Sequence, residues 1–183
     1  MTLRNITCAV TLCLLTLSGQ AVGKTEVPPY KNKSLSIEKR VDDLMGRMTL
    51  REKVLQLQNR GAGRLDEIDR IFNGESFGCT HEMGTTAAEC ATMYKELQQY
   101  MLTKTRLGIP IITSAEGIQG ILQNNCTLFP HALAQGSTFN PALIQRMTEA
   151  AGEEAKVIGI HQILSPVLDI ARELRWGRVE ETF

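Results

Sequence analysis

Acidic and basic side chains gather where two predicted strands end, and their types suit the binding of a sugar. Glu116 follows an apolar, β-branched run at 109–113, and Asp169 closes a second apolar run at 163–168. Arg178 lies on the segment after this second run. A carboxylate accepts hydrogen bonds from two adjacent hydroxyls, and an arginine fork donates to two oxygens in one plane. An acid and an arginine on neighbouring strand ends are therefore suited to holding one pyranose ring.

The arginine-rich segment that follows the second run also admits structural interpretations. Asp169 is equally suited to capping a turn or to pairing with Arg172. Arg172, Arg175 and Glu180 are suited to a structural ion-pair network. Trp176 is suited either to stacking on a sugar face or to packing beneath its loop. Taken alone, this segment does not identify a function.

Helical and strand-like segments alternate along the chain. Capping boxes at Thr49–Glu52 and Thr86–Glu89 predict two helix starts, and Asn140-Pro141 predicts a third helix that Gly159 ends. The two strands lack polar/apolar alternation, which is typical of a parallel sheet covered by helices. The glycine-punctuated segment 64–85 is predicted to be irregular. These patterns predict an α/β fold.

Two helices carry apolar residues at helical spacing. The stripe of the early helix consists of Ile37, Val41, Leu44, Met45 and Met48. The stripe of the helix after Asn140, predicted to be buried, consists of Leu143, Met147, Ala151, Ala155 and Ile158.

The composition is that of a globular protein without a dominant charge. The chain has 183 residues, of which 43% are hydrophobic, and its 20 basic residues balance its 20 acidic ones. No long-range field therefore favours nucleic acid or an anionic membrane, and no nucleic-acid partner is expected.

The N-terminal residues read as a targeting segment. Arg4 is followed by the mostly apolar run 6–17 and then by small residues, which is typical of a signal peptide at 1–23. The apolar run is shorter than the roughly 20 residues that span a bilayer, so no membrane association is expected after cleavage. A buried N-terminal helix is the alternative. We expect an exposed lead-in at 24–34, one domain at 35–183, and a secreted or periplasmic protein.

The cysteines do not predict a metal site. After signal removal Cys79, Cys90 and Cys126 remain, an odd number that fits one disulfide with a free thiol, or a partner beyond Phe183. No Cys or His cluster has zinc spacing, so no metal is expected.

A longer string of ordered motifs runs from about residue 35 to the end of the chain. They are Met48–Lys53, Arg106–Pro110, Glu116–Gly120, Phe129-Pro130, Thr138–Leu143, Glu153–Ala155 with Gly159, Leu164–Arg172 and Arg175–Thr182. This string resembles glycoside hydrolase family 3, the β-glucosidase and β-xylosidase family.

The resemblance implies a retaining, exo-acting β-glycosidase that has an N-terminal (β/α)8 barrel and needs no cofactor. It implies that the terminal sugar of an oligosaccharide or β-glycoside is bound by Glu116 and Arg178. Asp169, Arg175 and Trp176 are candidates for supporting roles. Glu116 stands where many glucosidases have Asp, which looks more like the xylosidase-related branch. Two motifs depart from the common pattern: Gln119 replaces His, and Glu173-Leu174 replaces Asp-Pro.

The resemblance also implies that the chemistry lies elsewhere in the polypeptide. A full barrel needs about 250 residues, whereas roughly 160 remain after the predicted signal. We therefore expect the N-terminal part of an incomplete barrel, with the family's nucleophile and acid/base beyond Phe183. No catalytic residue is assigned here, and the chain alone is expected to be inactive. The competing hypothesis is a truncated carbohydrate-binding fragment without chemistry.

Overall fold

The structure is a computed structural model that describes residues 27–61, 63–81 and 86–182. The chain divides into two compact units, residues 1–46 and 47–183. The predicted signal peptide at 1–23 lies outside the described residues.

Six α-helices, three strands and three short 3-10 helices make up the described secondary structure. The helices are α1 (Ile37–Arg47), α2 (Leu50–Leu55), α3 (Ile68–Phe72), α4 (Ala87–Lys104), α5 (Ala132–Gly136) and α6 (Pro141–Ile158). The strands are β1 (Cys79–His81), β2 (Ile112–Glu116) and β3 (Gln162–Leu164). The 3-10 helices are Pro29–Lys31, Leu65–Glu67 and Val179–Glu181.

In the first unit, hydrogen bonds tie part of the predicted lead-in to α1. The backbone N–H of Tyr30 donates to a carboxylate oxygen of Asp43 at 3.1 Å, and Arg40 Nε donates to the Tyr30 carbonyl at 3.0 Å. The early helix is confirmed, but it ends at Arg47, before Met48 of the predicted stripe, and the side chains of Ile37, Val41 and Met45 are exposed.

The second unit contains a three-stranded parallel sheet with the order β1-β2-β3. Helix α4 connects β1 to β2, and α6 connects β2 to β3. The register pairs Glu116 with Leu164, so the carboxyl ends of β2 and β3 lie side by side. The predicted parallel α/β arrangement is confirmed.

The prediction that 64–85 is irregular was wrong, because this segment contains α3 and β1. Strand β1 has three residues, too few to show a period in the sequence. Its conformation is fixed by pairing with β2, where Cys79 lies opposite Ile112 and His81 opposite Ser114.

The predicted bounds of the other two strands were also wrong. The run at 109–113 was expected to form the first of them, but β2 begins at Ile112 and ends at Glu116. The run at 163–168 was expected to form the second, but β3 ends at Leu164. Pro166 has no backbone N–H to donate to a ladder, which disfavours continuation of the strand through it.

Helix α4 supplies much of the core that supports the sheet. Its Tyr94, Leu97 and Met101 side chains are buried. The Tyr94 hydroxyl donates to the Ser114 carbonyl at 3.2 Å. Gln98 receives a 3.2 Å hydrogen bond from the Ile111 N–H and also donates to the Ile111 carbonyl. Helix and strand are thus joined by polar bonds as well as by apolar packing.

Helix α6 begins and ends as the sequence predicts. The Asn140 side chain accepts from the Leu143 N–H at 3.1 Å, and Gly159 has a φ of +91° that favours glycine. From its predicted stripe, Ala151, Ala155 and Ile158 are buried. Leu143 and Met147, near the start of the helix, are half-buried.

The sheet is open on one side. The Arg60 N–H donates to the Cys79 carbonyl at 2.9 Å, which extends the pairing beyond β1. Within residues 27–61, 63–81 and 86–182, no strand pairs with the outer edge of β3. None of the described helices has the length and apolar character needed to cross a bilayer.

Candidate functional site

Glu116 lies at the carboxyl end of β2. It is the last residue of that strand and is half-buried. Glu116 was predicted to follow the strand, whereas in the structure it belongs to the strand. Ligands of parallel α/β proteins bind at this end of the strands.

Arg178 lies at the end of the segment that follows β3. It directly precedes the 3-10 helix Val179–Glu181. Arg178 Nε donates to Glu181 Oε1 at 2.6 Å, and Arg178 Nη2 donates to Glu181 Oε2 at 2.5 Å. This two-point pair fixes the plane of the guanidinium.

The structure brings Arg178 within electrostatic range of Glu116. The pKa of Arg178 is raised, first by its hydrogen bonds to Glu181 and the charge of Glu181, and further by the charges of Glu116 and Glu180. The pKa of Glu181 is lowered, chiefly by the Arg178 hydrogen bonds, with smaller contributions from the charges of Arg178 and His131. Charges at the end of β2 and on the segment after β3 therefore act on the same arginine, and we call Glu116, Arg178, Glu180 and Glu181 the charged cluster.

Arg175 belongs to a separate ion pair. Its Nε and Nη2 donate to the two carboxylate oxygens of Glu173 at 2.8 Å and 2.7 Å, and these hydrogen bonds lower the pKa of Glu173 to about 2. The Arg175 and Glu173 side chains are 89% and 59% exposed. The network with Arg172 and Glu180 that the sequence allowed does not form among the described residues.

Asp169 does not close β3, contrary to the prediction, because the strand ends at Leu164. Asp169 and Arg172 are both exposed, and in the described part of the chain neither makes an ion pair. The pairing of Asp169 with Arg172 that the sequence allowed is therefore not formed. Trp176 is 42% exposed, which leaves one part of its side chain accessible.

A cavity of about 450 Å³ adjoins the cluster. Its lining includes Ile118, Phe129, Ile144, Met147, Ala151 and Ile163, and it is therefore largely apolar. Glu181 contributes to its wall, but neither Glu116 nor Arg178 does. The cavity is therefore suited to apolar groups.

Glu181, the partner of Arg178, was not predicted from the sequence. The signal was present in their spacing of three residues, which brings side chains together on a 3-10 turn. His131, whose charge acts on Glu181, is far away in sequence and gave no such signal.

Among the described residues, Cys79, Cys90 and Cys126 form no disulfide bond. Burial raises the pKa of the Cys126 thiol, and the charge of Glu154 adds to this effect. Among the described residues, no group of three or more His, Cys, Asp or Glu side chains could hold a metal ion.

Comparison with known proteins connects these features to one family. Residues 49–183 match the model of the glycosyl hydrolase family 3 N terminal domain. Beta-glucosidase C of Emericella nidulans is 32% identical over 176 residues, which cover 86% of this chain and 28% of the relative. The periplasmic beta-glucosidase/beta-xylosidase of Dickeya chrysanthemi is 29% identical over 180 residues, with coverages of 85% and 27%.

A solved structure shows the same fold. The β-glucosidase of Erythrobacter marinus has 28% sequence identity and a TM-score of 0.70, covering 85% of this chain and 22% of that one. The predicted α/β fold, the N-terminal part of a (β/α)8-type barrel, is thus confirmed. The chain spans about a quarter of the length of the curated relatives it matches.

Proposed function

Because the chain belongs to glycosyl hydrolase family 3 through its N-terminal domain, we propose that it supplies the terminal-sugar site of a retaining, exo-acting β-glycosidase. The observation that carries this proposal is the charged cluster at the carboxyl end of the sheet. There the charge of the Glu116 carboxylate acts on the Arg178 guanidinium, although the two residues are 62 positions apart in the sequence.

The two side chains divide the recognition of the sugar between them. The Glu116 carboxylate accepts hydrogen bonds from ring hydroxyls. Arg178 has five N–H groups in a rigid fork, and Glu181 occupies part of that fork, so the remaining N–H groups are the donors to sugar oxygens. Asp169 and Trp176 are retained as candidates for support from the same segment, whereas Arg175, which pairs with the exposed Glu173, is assigned no contact with the sugar.

The proposed substrate is a β-glucoside or a β-xyloside, since the relatives carry both names. Retaining hydrolysis uses two carboxyl groups about 5 Å apart, one as nucleophile and one as acid/base. We assign neither role within residues 1–183, and we propose that these residues alone do not hydrolyse glycosides.

The proposed location is outside the cytoplasm, in the periplasm or the secreted fraction. Two observations support this: the Dickeya chrysanthemi relative is named periplasmic, and the sequence of residues 1–23 is typical of a signal peptide.

The direct experiment is a crystal structure of the full protein with the sugar that its preferred substrate releases. Release of nitrophenol from its β-glucoside and its β-xyloside first identifies that sugar. The complex should then place the Glu116 carboxylate and the Arg178 guanidinium within hydrogen-bond distance of the terminal ring. A ring bound away from both side chains would overturn the site, while the family assignment would stand.

A further inference from the structure

Glu181 is positioned to control the orientation of Arg178. The 3-10 helix Val179–Glu181 places side chains three residues apart above one another. The Glu181 carboxylate consequently receives the Nε and Nη2 edge of Arg178. The Nη1 edge of the guanidinium is left to face other groups.

The two partners differ in burial. The Glu181 side chain is 19% exposed, whereas the Arg178 side chain is 65% exposed. Glu181 is therefore the shielded partner, which lines the cavity, whereas most of the Arg178 side chain is in contact with solvent. The turn beneath them is anchored by the buried Thr182, whose hydroxyl donates to the Val179 carbonyl at 2.9 Å.

The pair of Arg175 and Glu173 is a comparable pair in which neither partner is shielded. Arg175 also makes two side-chain hydrogen bonds to its glutamate, but both side chains are largely exposed. Exposed pairs of this kind contribute little to structure, because water competes for both partners. The shielding of Glu181 distinguishes the Arg178 pair from this one.

We propose that Glu181 is a positioning residue that holds the Arg178 guanidinium with its free N–H groups directed to the sugar. This inference rests on the proposed sugar-binding role of Arg178. It adds a specific function for the carboxylate: the two hydrogen bonds that Glu181 receives fix the plane of the Arg178 guanidinium. In a protein without the Glu181 carboxylate, Arg178 loses both hydrogen bonds, and its guanidinium is no longer held in one orientation for the substrate.

The test compares Glu181→Gln with Glu180→Gln in the full protein. Both substitutions remove one negative charge from the same 3-10 helix, but only the first removes the hydrogen-bond partner of Arg178. Three quantities are measured for each: kcat/KM for the preferred nitrophenyl β-glycoside, the competitive inhibition constant of the free sugar, and the melting temperature. Glu181→Gln should lower kcat/KM and weaken sugar inhibition by about ten-fold, and Glu180→Gln should change both less than about two-fold.

A second set of variants separates positioning from folding. Glu181→Asp keeps the charge and should recover part of the lost sugar affinity. In an Arg178→Ala background, Glu181→Gln should add no further loss, since two residues that act as one unit are not additive. Full additivity, or equal effects of the Glu180 and Glu181 substitutions, would overturn the inference.

The outcome for Arg178 distinguishes the two proposals. Normal kinetics in Arg178→Ala would overturn the proposed function itself. Impaired Arg178→Ala together with unimpaired Glu181→Gln would overturn only the positioning role. If Glu181→Gln does not fold, Glu181→Asp replaces it in the same comparison. Losses of sugar affinity from Glu181→Asp and Arg178→Ala that are not additive support the positioning role, and additive losses overturn it.

Discussion

The Arg106 guanidinium donates to both carboxylate oxygens of Glu52, at 2.8 Å from Nε to Oε1 and at 2.6 Å from Nη2 to Oε2. Glu52 also accepts from the Thr49 N–H at 2.8 Å as part of the capping box that starts α2. Arg106 donates in addition to the Arg47 carbonyl at 2.8 Å. One carboxylate thus joins the start of a helix to the loop before β2.

This arrangement predicts a pH-dependent stability. The hydrogen bonds from Arg106, and then those from Thr49, lower the pKa of Glu52 from 4.5 to about 2. A group whose pKa is depressed by folding stabilises the fold above its unfolded pKa. The contribution of Glu52 is therefore present above pH 4.5 and is lost as the pH falls toward about 2.

The measurement is the melting temperature of the full protein and of its Glu52→Gln variant between neutral pH and pH 2. The difference between the two proteins should shrink as the pH falls through this window. Glu96→Gln is the control, because Glu96 is an exposed glutamate of α4. A difference that stays constant from neutral pH down to pH 2 would contradict the prediction.

Alanine substitutions at Gly78 and at Gly152 are expected to have opposite effects on the free energy of unfolding. A Cβ on Gly78 would lie 1.9 Å from the carbonyl oxygen of Gln56, whereas a Cβ on Gly152 would meet no atom within 4 Å. Gly78 also donates to the Leu55 carbonyl and accepts from the Ile112 N–H, so its backbone cannot shift freely. Gly78→Ala should destabilise the fold by about 1–3 kcal/mol. Gly152→Ala, inside α6, should stabilise it by about 0.5–1 kcal/mol.

Urea unfolding followed by far-ultraviolet circular dichroism measures both effects. The pair serves as its own control, since each variant adds one methyl group. No effect of Gly78→Ala would show that the close approach of Gly78 to Gln56 at the end of α2 is wrong. Destabilisation by Gly152→Ala would show that the space beside this position of α6 is not open.

The features that the sequence predicted well are those set by neighbouring residues. A capping box needs only a threonine and a glutamate three positions apart, and the structure forms both boxes, at Thr49 and at Thr86. The stop at Gly159 likewise depends on one residue and its own backbone angle. Local chemistry determines these features, so no knowledge of the rest of the fold is required.

The features that were missed depend on distant residues. Strand β1 is defined by pairing with β2, more than 30 positions away, and its three residues carry no periodic pattern. The Arg175–Glu173 pair is an exception: Glu173 lies only two positions from Arg175, but it was not anticipated, because several acids lie within reach of a flexible arginine. The Arg178–Glu181 and Arg175–Glu173 pairs differ in the exposure of their glutamates. Exposure depends on the whole fold, so this difference could not be predicted from neighbouring residues.

An isolated polypeptide of residues 24–183 should self-associate. The outer edge of β3 has no partner strand among the described residues, and unpaired edges template further pairing. Phe139, 92% exposed, and Leu133 on α5 add apolar surface. Light scattering after size-exclusion chromatography should show aggregates, and no nitrophenol should be released from aryl β-glycosides. A monodisperse monomer with cooperative thermal unfolding would contradict the first expectation, and turnover would contradict the second.

The sharpest prediction concerns Glu116 and Arg178 in the full protein. Each alanine substitution removes charge-assisted hydrogen bonds to the sugar, so kcat/KM should fall by about ten- to a hundred-fold. The melting temperature should change little, because Arg178 is largely exposed and Glu116 lies at the end of its strand. Steady-state kinetics with the preferred nitrophenyl glycoside provides the measurement.

Arg175→Ala is the matched control for this prediction. It removes an arginine that makes the same kind of two-point pair three positions before Arg178, but with an exposed glutamate and outside the charged cluster. Its kinetics should therefore stay close to those of the unmodified protein, since an exposed pair contributes little to the fold. If Arg175→Ala impaired turnover as much as Arg178→Ala, the effect would reflect the loop rather than a sugar contact. If Glu116→Ala and Arg178→Ala both kept normal kinetics, neither residue would belong to the sugar site.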